Sequence, residues 1–85
     1  MYSLKRGEKK MTTNERIRNL RKEVLKLTQQ EFAEDLKMSR SNIGNIETGE
    51  VTVTDRLIFN ICQKYKVNEN WLRTGEGKIF ADLSK

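Results

Sequence analysis

The chain has 85 residues, 35% of them hydrophobic and 34% charged, with no proline and no histidine. That length suits one domain with a lean core, and that charge content argues against both a disordered chain and a bilayer span. No apolar run follows the charged first residues, so no secretory leader is expected. Cys62 is the only cysteine. It rules out an intramolecular disulfide, points to a reducing cytoplasm, and reads as core packing. With no histidine as base or co-ligand, no nucleophile–base pair and no metal-spaced cluster, neither an enzyme nor a metal or cofactor site is expected.

The formal net charge is +5 and it is unevenly spread. Residues 1–27 carry nine Lys/Arg against three acids, whereas the remainder carries eight against nine. Residues 1–11 lack hydrophobic periodicity and read as a basic, loosely ordered arm, either a phosphate-binding element or a solvated tail. Met11 is an alternative natural start. A folded unit is expected over 12–77, followed by a short tail, 78–85.

The first helix is predicted over 13–25. Thr12 and Glu15 have capping-box spacing, and Ile17, Leu20 and Val24 recur at i, i+3 and i+7. Arg18, Lys22 and Lys26 form either its solvated face or a phosphate-facing stripe. Four further helix starts each pair a capping residue with an apolar staple across it. Thr28 lies between Leu27 and Phe32, with Glu31 completing a capping box. Ser39 lies between Met38 and Ile43, Thr54 between Val53 and Ile58, and Asn68 between Val67 and Leu72. These predict helices over 29–36, 40–48, 55–65 and 69–74, the second and fourth of them ended by Gly49 and Gly75. Residues 51–54 are too short for a strand between two helix signals. Trp71 and Tyr65 are expected in the core, the tyrosine hydroxyl wet, and Phe59 partly exposed. Ile79, Phe80 and Leu83 follow the last helix signal, and three readings stand: covering the domain edge, forming a dimer contact, or fraying.

Only Lys37, Met38 and Ser39 separate the second and third helices. That layout fits a DNA-binding helix-turn-helix, and equally an αα-hairpin with no such role. The faces of helix 40–48 discriminate. Ile43 and Ile46 must point inward, which leaves Ser41, Asn45 and Thr48 outward, Gly44 beside them, and Arg40 and Asn42 at the amino-terminal rim. A merely solvated helix more often carries Lys and Glu. Asn bonds adenine bidentately, Arg bonds guanine or phosphate, and Ser serves either base or backbone. Gly44 reads either as room for close approach to a groove or as drift.

Residues 28–49, TQQEFAEDLKMSRSNIGNIETG, resemble the helix-turn-helix of the Cro/phage-repressor (XRE-like) family. The resemblance covers about 13–76. It includes Gln29 opening one helix, Ala33 at the crossing, Ser39-Arg40 opening the next, and Ile43, Ile46, Glu47 and Gly49 at matching offsets. The VNENWLRTGEG stretch is similar to the ending of small repressors. The resemblance implies an all-α, compact five-helix lambda-repressor-like domain. It further implies a sequence-specific regulator, a phage-type repressor reading palindromic double-stranded operator DNA as a homodimer, with no small-molecule ligand.

Residue by residue, it implies that Thr28 and Gln29 meet phosphate, with Gln29 bracing the reading side chains. Ser39, Arg40, Ser41, Asn42, Asn45 and Thr48 would meet base edges or adjacent phosphates, and Thr52 to Arg56 the backbone. Glu47 would pair with an arginine of the first helix, Arg21, unless Lys22 takes that place. Two departures stand out. Lys37 occupies a turn position where the family prefers glycine, and Leu25-Lys26-Leu27 makes the first connection one residue longer than usual. The rival reading is an antitoxin or antirepressor whose main partner is another protein.

Overall fold

Every helix start expected from a capping residue is a helix start in the computed structural model, which describes residues 11–81. The helices are α1 (Thr13–Asn19), α2 (Gln29–Leu36), α3 (Arg40–Thr48), α4 (Asp55–Tyr65) and α5 (Glu69–Thr74). Thr12, Thr28, Ser39 and Thr54 each accept a hydrogen bond from the backbone N–H three residues on, and Asn68 accepts from Asn70. Thr12–Glu15 and Thr28–Glu31 close reciprocal capping boxes. Gly49 and Gly75 end α3 and α5 in the left-handed region. The fold is all-α, without a named strand among the described residues.

The first helix departs from expectation. Its α-helical part stops at Asn19 and continues as a π-helical segment, Leu20–Val24. Leu25 N–H bonds Leu20 O at 2.8 Å and Leu27 N–H bonds Arg21 O at 2.9 Å, so each ring is wider than an α turn. The wider turns take up the extra length of the first connection, and Lys26 then turns left-handed at φ 58°.

Apolar residues from all five helices and the π segment meet in one core. Ile17 and Leu20 enter from the first helix, Phe32, Ala33 and Leu36 from α2, and Ile43 and Ile46 from α3. Leu57, Ile58 and Ile61 come from α4, and Trp71 and Leu72 from α5. Each large member that is wholly buried contributes about 1.5–3 kcal/mol. Phe32 stacks on half-buried Tyr65, with ring centroids 5.7 Å apart. The Tyr65 hydroxyl donates to Asp35 Oδ2 at 2.6 Å, and burial together with this bond keeps the phenol protonated well above the usual tyrosine range. Cys62 is half-buried against the core, and burial, then the charge of Glu69, pushes its thiol up. Phe59 is 60% exposed.

After Gly77 the chain folds back. Asn68 N–H bonds Ile79 O at 2.7 Å and Ala81 N–H bonds Lys66 O at 2.8 Å, so Val67 and Phe80 face each other as an isolated bridge. Ile79 covers the edge of the core, whereas Phe80 stays 43% exposed. Leu83 and residues 1–10 of the basic arm lie outside the described residues.

Buried polar ties lock α1 and the π segment to the rest, two of them made by arginines. Arg16 is buried and donates to Leu72 O (2.8 Å), Arg73 O (2.6 Å) and Met11 O (2.7 Å). It thereby satisfies carbonyls that the end of α5 leaves without helical partners. A Cβ at Gly75 would lie 3.2 Å from Arg16 Nη1, so the glycine serves both its φ of 87° and this close approach. The second tie is an ion pair. Arg21 Nε donates to Glu47 Oε2 at 2.6 Å and Nη2 to Oε1 at 3.1 Å, both residues buried. Arg21, rather than exposed Lys22, takes the place opposite Glu47.

Two predictions follow from the backbone and the ion pair. Lys37 and Lys66 sit left-handed at φ 59° and 61°. The conformation costs a non-glycine residue about 1–2 kcal/mol, and glycine's extra unfolded-state freedom returns about 0.5–1 kcal/mol of that. Lys37→Gly and Lys66→Gly are therefore each expected to raise the urea midpoint modestly; a drop in either would contradict the left-handed assignment. Glu47→Ala strands a buried guanidinium and is expected to cost about 3–5 kcal/mol, a large part of the roughly 5–15 kcal/mol typical of whole domains. A loss under about 1 kcal/mol would put the pair in the class of surface ion pairs.

Candidate nucleic-acid interface

Helix α3 has two unlike faces. Ile43, Ile46 and Glu47 are buried, while Arg40, Ser41, Asn45 and Thr48 are exposed, with Asn42 and Gly44 half-buried between them. The exposed side chains are short and polar apart from Arg40, and no hydrogen bond or ion pair engages those of Arg40, Ser41 or Asn45 among the described residues. Thr48 donates to Asn45 O at 3.2 Å, so its hydroxyl is partly spent on its own helix. A Cβ at Gly44 would meet only Gln29 Nε2, at 4.0 Å. That is ordinary contact, so packing inside the domain does not demand the glycine.

The back of α3 is held at several heights. Glu47 accepts from Arg21, and its Oε1 also accepts from Gln29 Nε2 at 3.0 Å. Arg21 Nη1 donates to Leu27 O at 2.8 Å, which fixes the chain just before α2 begins. Asn14 Nδ2 donates to Ile46 O (2.8 Å) and Val51 O (3.0 Å), closing the carboxyl end of α3. Gln29 therefore braces α3 through Glu47, on its buried side, not through the outward side chains.

The other expected contact residues flank α3. Thr28 and Ser39 are exposed caps whose oxygens accept from Glu31 N–H at 3.0 Å and Asn42 N–H at 3.1 Å. A hydroxyl that accepts still has its own proton to donate to an outside oxygen. Thr52 and Arg56 are exposed on either side of the α4 cap, Thr54. The structure thus brings Ser41, Asn45 and Thr48 onto one face of α3, with Arg40 exposed at its amino-terminal rim, Thr28 and Gln29 at the start of α2, and Thr52 and Arg56 beside the start of α4. Arg18, Lys22 and Lys26 are exposed, and Arg18 and Lys22 share a shallow hollow with Glu15 and Glu23.

Two residues that matter here gave no sequence signal, and a third gave only part of one. Asn14 and Arg16 look like ordinary polar residues of a first turn, because the partners that tie them across the fold are backbone carbonyls more than 30 residues away. Lys37 stood out only as a misplaced turn residue, yet its side chain lines a cleft against α4. Among the described residues no helix is long and apolar enough to cross a membrane, and no three His, Cys, Asp or Glu gather as metal ligands would.

No curated protein and no solved structure matches the chain. A family model described as a helix-turn-helix domain matches residues 14–78, from the second residue of α1 to the segment that folds back after α5. With that match over most of its length, the chain belongs to the helix-turn-helix domain family of DNA-binding regulators.

Proposed function

We propose that the chain is a sequence-specific transcriptional regulator of the phage-repressor type, acting in the cytoplasm and reading a palindromic operator as a homodimer through α3. The observation that carries this reading is the outward face of α3. Ser41 and Asn45 are exposed there, and Arg40 at its amino-terminal rim, without intrachain side-chain partners among the described residues, on a helix whose back is pinned by Glu47 and Asn14. Side chains of these types are competent for base edges: Asn45 for adenine, Arg40 for guanine or phosphate, Ser41 for either base or backbone. Asn42 and Thr48 border them. Thr28 and Gln29 at the start of α2, Ser39 at the start of α3, and Thr52 and Arg56 beside the start of α4 supply backbone contacts that fix register without reading sequence.

Two copies would place their α3 helices in successive major grooves, about 34 Å apart. Repression follows when the occupied operator excludes polymerase. No residue of this arrangement is asked to do covalent chemistry.

Selection of bound genomic fragments, followed by salt titration of the best duplex, tests the reading. One palindromic site should emerge, with affinity falling steeply as salt rises, and Asn45→Ala and Arg40→Ala should each lose about 1–3 kcal/mol on it. If no fragment is enriched, or both variants bind like wild type, recognition by α3 is wrong, and an antitoxin or antirepressor with a protein partner takes its place. Gly44→Ala adds a separate check. It is expected to stabilise the helix by up to about 1 kcal/mol, and a simultaneous loss of operator affinity marks close approach of the α3 backbone to the groove.

A further inference from the structure

We propose that Lys37 and Arg56 form a phosphate-binding cleft between the helix-turn-helix turn and α4, taking a backbone phosphodiester of the bound duplex. The proposal rests on the DNA-binding reading and extends its backbone contacts from Arg56 to the turn residue Lys37. The cleft has a volume of about 260 Å³, with Lys37 and Met38 on one wall, Thr54, Arg56 and Asn60 on the other, and the apolar Leu36 and Leu57 beneath. One wall leads through Ser39 into Arg40 at the start of α3; the other contains the cap of α4. The cleft therefore joins the two helix starts that the DNA-binding reading turns toward the duplex.

Its charge fits a phosphodiester. Lys37 and Arg56 come from different elements and neither is in an ion pair among the described residues. Neighbouring carboxylates are engaged elsewhere: Asp55 pairs with Arg73 at 3.0 Å, and Asp35 accepts from the Tyr65 hydroxyl at 2.6 Å. Asn60 adds an amide donor. Two cations and an amide above an apolar floor suit a monoanion with several acceptor oxygens, and offer a metal cation nothing. The backbone of Lys37, like that of Lys26 and Lys66, is left-handed and would be less strained as glycine. The side chain, not the backbone, gives lysine its use at this turn. An adjoining hollow shares Leu36, Lys37 and Asn60 with the cleft and runs past Asp35 and Gln63 to Lys64, which does not line the cleft.

That geometry sets the control. Lys37→Gln, Lys37→Gly and Lys64→Gln are compared with wild type by salt titration, on the selected duplex and on one of random sequence. Each Lys37 variant should flatten the slope of log affinity against log salt by about 0.9, the counterion equivalent of one phosphate. The change should be equal on both duplexes, because a backbone contact carries no base information. Lys64→Gln removes the same charge and should leave the slope unchanged. Lys37→Gly remains informative because it is expected to be more stable than wild type. Steep wild-type binding with an unaltered slope in the Lys37 variants overturns the cleft alone. An equal effect of Lys64→Gln also overturns it, by reducing the effect to net charge. If wild type binds neither duplex in a salt-sensitive way, the DNA-binding reading falls and the cleft with it.

Discussion

The buried pair between Arg21 and Glu47 is the constraint on which the arrangement of the other helices depends. It joins residues 26 apart in the chain, and its two ends reach further: Arg21 to the carbonyl before α2, Glu47 to the amide of Gln29. Three elements are fixed relative to one another by two charged side chains. Burying those charges is costly unless both are fully hydrogen-bonded, and here the guanidinium has a carboxylate and a carbonyl while the carboxylate has a guanidinium and an amide. An apolar pair of similar volume could fill the space, but it would lack the directed hydrogen bonds that add to the rotation of α3 already set by Ile43 and Ile46.

Once α3 is held from behind, its outer face has no structural duty. Packing requires Ile43 and Ile46, hydrogen bonding requires Glu47, and Asn14 closes the end. The remaining positions can vary in chemistry with little cost to the core. Such a division lets one scaffold serve different target sequences. The flanking caps are less free: Thr28, Ser39 and Thr54 already start helices, and any outside contact by them is added to that role.

The sequence disclosed local physics well and distant physics poorly. Four staple-and-cap patterns located four helices because each signal is confined to six residues. The left-handed turn at Lys37 was legible for the same reason, as one residue out of place in a short motif. The π-helical segment was not, since Ile17, Leu20 and Val24 satisfy an α-helical period whether or not the backbone widens after Asn19. Nor were Asn14 and Arg16, whose value lies in carbonyls that only folding brings near. On the candidate interface, residue types along α3 pointed to its outward face correctly, because Ile43 and Ile46 fix which side is inside. Gln29 was legible as a brace but not in direction: its partner is the buried Glu47, and nothing near it in sequence says so.

Arg16 has a consequence for the order in which the domain assembles. Its bonds to Leu72 and Arg73 span 56 and 57 residues, whereas the α2–turn–α3 unit is built from neighbours. Closing so long a loop carries an entropic cost that must be met before any bond repays it. On that cost, contacts of such span are expected to form late, which makes the α1–α5 seam they close the place where opening is expected first. The same guanidinium holds Met11 O, so the entry and the exit of the folded region separate together. The helices proposed to read DNA thus sit in the part of the chain that can fold early, and the seam between the two ends completes them.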